Sequence, residues 1–174
     1  MPLLPPVTEI DHIQGNQQAP IELVEYGDYQ CPYCGQAYPI IKQLQQEFGD
    51  QLKFVFRNFP LSKRHPQAKM AAIVAEAAFL QGKYWEMHDL LLENQKRLNS
   101  RALFSYANEL ALDIGQFEQA LTLTDLAEKV DADFHSGMRS GVKATPTFFI
   151  NGDKYEGSWA GNGLLDFIKD KYAR

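Results

Sequence analysis

Cysteine is scarce in this chain of 174 residues: there are two, Cys31 and Cys34, three positions apart. A disulfide scaffold carries more cysteines at wider spacing, and so close a pair closes too short a loop to staple a fold. No staple is needed, because a chain of this size buries roughly two-thirds of its unfolded surface on folding. The length fits one domain, residues 1–174. Long apolar runs are also missing, and nothing approaches the roughly 18 residues of a bilayer-spanning helix. Positive charge is sparse: 17 Lys and Arg stand against 22 Asp and Glu, for a net charge of −5, and the densest basic cluster is Lys63-Arg64. Proteins that bind nucleic acid usually carry a basic stripe. The expectation is no nucleic-acid partner and no membrane insertion. Met1 to Val7 lack the basic n-region and apolar core of a leader. On the sequence as given this predicts a cytoplasmic protein, or a periplasmic or other extracytoplasmic one if a leader was removed.

Periodicity supplies the elements. A short first strand is expected over 9–15, ending at Gly15, and a largely buried strand over Ile21 to Tyr26. A helix follows Cys31-Pro32-Tyr33-Cys34, with Ala37, Tyr38, Ile41, Leu44 and Phe48 on one face. Pro32 suits its first turn, and Pro39 lies where it should kink the helix. Leu52 to Phe56 reads as a second hydrophobic strand. From about Pro60 to Met138 the chain shows only amphipathic helical stripes, among them Met70-Ile73-Val74-Ala77 and Leu126-Val130-Phe134-Met138. Strand signal returns at Thr147 to Ile150. Asn151-Gly152 then marks a hairpin leading to a strand over 153–157, and Leu164 to Tyr172 form a last helix. The order predicts an α/β architecture: a mixed sheet flanked by helices, with an all-helical subdomain inserted over 61–123.

The cysteine spacing points to chemistry. At the start of a helix, free N–H groups and the positive dipole end favour a thiolate. Cys31, nearer the helix end, is the expected nucleophile. A thiolate attacks a disulfide sulfur to give a mixed disulfide, which Cys34, one turn further in, would resolve. A structural zinc site needs four ligands, and His12, His65, His88 and His135 offer no close pair. Gly35 after Cys34 excludes a c-type haem motif.

Several stretches resemble the DsbA-like family of thioredoxin-fold proteins: Glu25-Tyr26-Gly27-Asp28-Tyr29-Gln30-Cys31-Pro32-Tyr33-Cys34, Arg57 to Leu61, His65-Pro66-Gln67-Ala68, Gln81 to Asp89 and Thr145 to Gly152. The resemblance runs from about Asp11 to Tyr172. It implies a thioredoxin-like fold with a helical insertion and a thiol–disulfide oxidoreductase acting on protein thiols or disulfides. It implies no cofactor beyond the redox-active Cys31–Cys34 pair. It implies a cis bond at Thr145-Pro146, beside the cysteines, and Thr145, Pro146, Pro32 and Tyr33 as substrate-binding residues. Glu25, six residues before the nucleophile, is implied as a buried acid exchanging a proton with Cys34. Where the family's strongly oxidising members have His between the cysteines, this chain has Tyr33, so a potential nearer that of glutaredoxins follows, roughly −200 to −230 mV. The redox partner would be glutathione in a cytoplasmic setting or a membrane thiol oxidase in an exported one.

Two other readings compete. One is a glutathione-linked small-molecule enzyme of the same fold, although such relatives often replace the first Cys with Ser. The other is a non-redox peptide-binding module. Tyr29 and Phe59 are candidates for an apolar platform beside the site. Asp28 is either a turn acid or a charge acting on the thiol. His88, on an apolar stripe, reads as a core histidine, and Trp85 and Trp159 as packing residues.

Overall fold

In the computed structural model, which describes residues 1–172, the chain begins β1 (His12–Gly15), β2 (Ile21–Gly27), α1 (Pro32–Phe48), β3 (Leu52–Asn58). Five helices follow: α2 (Ala68–Phe79), α3 (Tyr84–Glu93), α4 (Ser100–Glu109), α5 (Ile114–Leu121) and α6 (Thr124–Arg139). The chain then returns as β4 (Thr147–Ile150), β5 (Asp153–Lys154) and α7 (Gly163–Lys171). The strands form one mixed sheet in the order β1-β3-β2-β4-β5. Strand β2 runs parallel to β3 and antiparallel to β4, while both edge strands are antiparallel. The fold is thioredoxin-like, with a helical insertion between β3 and β4.

Central position explains the sequence of β2. A strand covered on both faces reads as a near-continuous apolar run. Leu23 packs with Phe54, Phe56 and Phe148 on the side of α1, whereas Val24 and Tyr26 pack with Val55, Phe59 and Phe149 on the other. Glu25 points to the α1 side, in register between Phe56 and Phe148. The site therefore sits at the C-terminal end of the central strand, where the chain turns into α1.

The Asn151-Gly152 turn has φ of +50° and +86°, the left-handed pair a two-residue hairpin requires. Asp113 and Asn99 cap α5 and α4, accepting from the amides of Gln116 and Ala102. Three expectations need correction. The strand expected over 153–157 stops at Lys154, with one further ladder bond, from the Tyr155 amide to the Phe148 carbonyl, before its partner β4 runs out at Thr147. The first strand is confined to its last four residues, His12–Gly15. Met70 and Met138 are exposed, since the buried faces of α2 and α6 are filled by smaller side chains, Ala71, Ala75 and Ala78 on α2 and Ser136 and Gly137 on α6.

Candidate active site

Asp28 builds the turn that carries β2 into α1. Its buried carboxylate accepts four hydrogen bonds. Oδ1 takes the amides of Gln30 at 2.7 Å and Cys31 at 3.1 Å. Oδ2 takes the Leu61 amide at 2.9 Å and Nδ1 of His65 at 2.8 Å. Asp28 is thus the turn acid, and it ties the cysteine turn to the loop after β3. Its own amide donates to Cys34 Sγ at 3.4 Å.

A second brace comes from the helical insertion. Gln95, in the loop after α3, donates from Nε2 to the carbonyls of Tyr29 at 3.0 Å and Cys31 at 2.7 Å. Gly35 makes room for it, because a Cβ there would collide with Gln95 Oε1. Gln30 reaches the other way and accepts the amide of Gln67 at 2.8 Å, at the start of α2. Sequence reading missed Gln95, which lies in a polar loop with no motif around it.

Cys31 is the N-cap of α1, in extended conformation, and Pro32 takes the first helical position. Both cysteines are free thiols. The Cys31 thiol is pulled down to about 5. The leading cause is a hydrogen bond from the Cys34 thiol, against the opposing effect of burial; Thr145 and the amides of Cys34 and Tyr33 add to it. The helix end acts as expected, but the neighbouring thiol acts more strongly. Cys34 is fully buried, and its thiol is pushed well above the ordinary value, first by burial, then by Cys31 and by the charge of Glu25.

Glu25 is 2 % exposed and surrounded by apolar side chains of the central strands. Its Oε2 has no hydrogen-bond partner among the described residues. Burial, and then the charge at Cys31, push the carboxyl up to about 8. Near neutral pH it is largely a neutral acid within electrostatic reach of both sulfurs.

The Thr145-Pro146 bond is cis. The Thr145 carbonyl lies 3.5 Å from Cys31 Sγ and can accept from its thiol form, while the Thr145 side chain favours the thiolate. Cys31, Pro32, Tyr33 and Thr145 share a groove of about 810 Å³ with the loop after β3 and with Phe134 of α6. Tyr33 is 59 % exposed, edge-on to Trp159 at 6.5 Å.

The expected platform of Tyr29 and Phe59 is corrected: both side chains are buried. The Tyr29 hydroxyl bonds Tyr84 and His88, and Phe59 stacks on Phe134. The apolar surface beside Cys31 is instead Tyr33, Leu61 and Phe134. His88 is a core histidine, held neutral because burial pulls it down to about 3.

A Thioredoxin family model matches residues 7–170. The Na(+)/H(+) antiporter NhaA 1 of Salinispora arenicola is 43% identical over 171 residues, covering 98% of this chain and 26% of the antiporter. The chain thus spans about a quarter of the length of that curated relative. Among solved structures, a thioredoxin-like oxidoreductase from Silicibacter pomeroyi superposes with a TM-score of 0.82 at 23% identity, covering 95% of this chain and 94% of that one. The thiol-disulfide exchange protein alpha-DsbA2 of Wolbachia pipientis does so with a TM-score of 0.80 at 19% identity, covering 94% and 87%. With the family model matching residues 7–170 of its 174, the chain belongs to the thioredoxin family, and it shares its fold with a DsbA-type protein.

Proposed function

We propose that this protein is a thiol–disulfide oxidoreductase that exchanges disulfides with protein thiols through Cys31-Pro32-Tyr33-Cys34. The observation that carries the reading is the opposite treatment of two neighbouring sulfurs. Cys31 is held toward the thiolate at the floor of a groove, and Cys34 toward the thiol in the interior.

In the reducing direction, the Cys31 thiolate attacks one sulfur of a partner disulfide. That S–S bond breaks, and the far sulfur leaves as a thiolate that takes a proton from water. Cys34 then gives up its proton, with Glu25 in its carboxylate form as the acceptor, and attacks Cys31 Sγ. The bond from Cys31 to the partner breaks and a second thiolate leaves. The partner gains two electrons, and the protein is left with a Cys31–Cys34 disulfide. Oxidation of a dithiol is the same sequence reversed. The two sulfurs carry the electrons, and no further cofactor enters.

A lower thiol pKa stabilises the reduced form and raises the potential. A value of about 5 for Cys31 falls between thioredoxin at about 7 and DsbA at about 3.5. With Tyr33 in place of a histidine between the cysteines, the proposed potential lies at roughly −200 to −230 mV. Glutathione would set the redox state in a cytoplasmic setting, and a membrane thiol oxidase in an extracytoplasmic one. The inserted subdomain is assigned to 61–123, because α6 packs on β3 as part of the sheet's own cover. No helix among the described residues is long and apolar enough to cross a membrane.

Reduction of insulin by wild type and by Cys31→Ser tests the reading. Turnover that depends on Cys31 supports it. Equal, background rates overturn it and leave a binding module.

A further inference from the structure

The groove over Cys31 departs from the charge of the rest of the molecule. The chain carries a net charge of −5, yet the charged side chains along the groove are Lys63, Arg64, His65, Lys69 and Lys143 against one acid, Asp131. Asp131 is paired with Lys69 at 3.0 Å, and His65 with Asp28 at 2.8 Å. That leaves Lys63, Arg64 and Lys143, all exposed, with no ion pair among the described residues. Lys63 and Arg64 stand on the loop after β3, while Lys143 stands on the loop before the cis proline. Between them the surface is apolar: Tyr33, Leu61, Phe134 and Ala144.

We propose that the groove selects protein segments whose reactive cysteine is flanked by acidic side chains. This rests on the oxidoreductase reading and names its substrate class. The cysteine lies over Cys31, beside Thr145. An apolar neighbour covers Leu61 and Phe134, and Asp or Glu residues on either side face Lys63 with Arg64 and Lys143. Cations on both banks of the groove suit a chain passing across it. Complementary charge acts mainly on encounter and on discrimination between partners. A segment with flanking lysines meets unpaired like charge at each bank.

The test uses oxidised protein and an excess of single-cysteine peptides that differ only in flanking residues: acidic, neutral or basic. Two peptide thiols give two electrons to the Cys31–Cys34 disulfide and leave as a peptide disulfide, and the rate of protein reduction is read after acid quench. At low salt the acidic peptide is expected to react at least about tenfold faster than the basic one, with the gap narrowing as salt is added. Lys63→Glu/Arg64→Glu reverses that order. Lys96→Glu/Arg101→Glu, with the same change in net charge outside the groove, keeps it. Equal rates for the acidic and basic peptides, or the same response from both double variants, overturn the proposal while leaving the oxidoreductase intact. A charge effect seen with glutathione but with none of the peptides overturns it too. Failure of every peptide to reduce the wild type overturns the oxidoreductase reading beneath it.

Discussion

Cys31 and Cys34 sit one helical turn apart in unlike surroundings. Around Cys31 the sulfur meets donors, the Cys34 thiol first, then Thr145 and the amides of Cys34 and Tyr33, in a turn braced by Asp28 and Gln95. Around Cys34 the structure is strand and helix interior, largely apolar apart from the acid Glu25, which holds its proton up to about 8. The same element in the two places acquires opposite proton affinities, because a charge is stabilised by donors in one and penalised by burial in the other. Division of labour between identical residues is thus a matter of depth.

Exchange of sulfur for oxygen breaks the comparison most severely. Cys31→Ser is expected to lower insulin turnover by at least about a thousandfold, since a serine hydroxyl is a poor nucleophile at its free pKa. Cys34→Ser leaves the first attack intact and stalls as a mixed disulfide, which mass spectrometry of the non-reduced protein detects. Asp28→Ala removes the acceptor of four hydrogen bonds and leaves His65 without its carboxylate. A loss of about 3–5 kcal/mol of unfolding free energy in urea is expected.

Deeper in, the sign reverses. Glu25 holds its proton to about 8 in the folded state, against an ordinary carboxyl near 4.3 when unfolded. The folded protein retains a proton over that window that the unfolded chain has released, so stability falls as pH rises through it. Glu25→Gln should therefore stabilise the protein by about 3–4 kcal/mol at pH 7, with no gain below pH about 4. It should also slow resolution by Cys34. The smallest effect is expected from Gln95→Ala. Two carbonyls of the cysteine turn lose a donor, at about 1–2 kcal/mol, readable as a shift in the urea midpoint.

Much of this was legible in the chain, for physical reasons that differ by region. Helices and the Asn151-Gly152 hairpin follow from local periodicity and turn chemistry, which the sequence states outright. The length of β5 does not, because it depends on where its partner β4 begins, which the residues of β5 do not state. At the site, Cys31, Cys34 and Glu25 stand within ten residues of one another and share a recognisable pattern. The proximity of Thr145 came only from family resemblance. Gln95 and the four-way role of Asp28 were hidden, since each depends on loops that meet only once the insertion has packed. Tyr29 and Phe59 misled because a large aromatic beside a motif looks the same whether it faces water or the core.

The pH dependence of Cys31 alkylation is the most direct test of the central claim, that its surroundings favour the thiolate. In the reduced protein the rate with iodoacetamide should rise with a midpoint at about 5 and stay flat through neutrality, and Cys34→Ala should move that midpoint upward. A wild-type midpoint near the ordinary thiol value of about 8.5 would contradict the account.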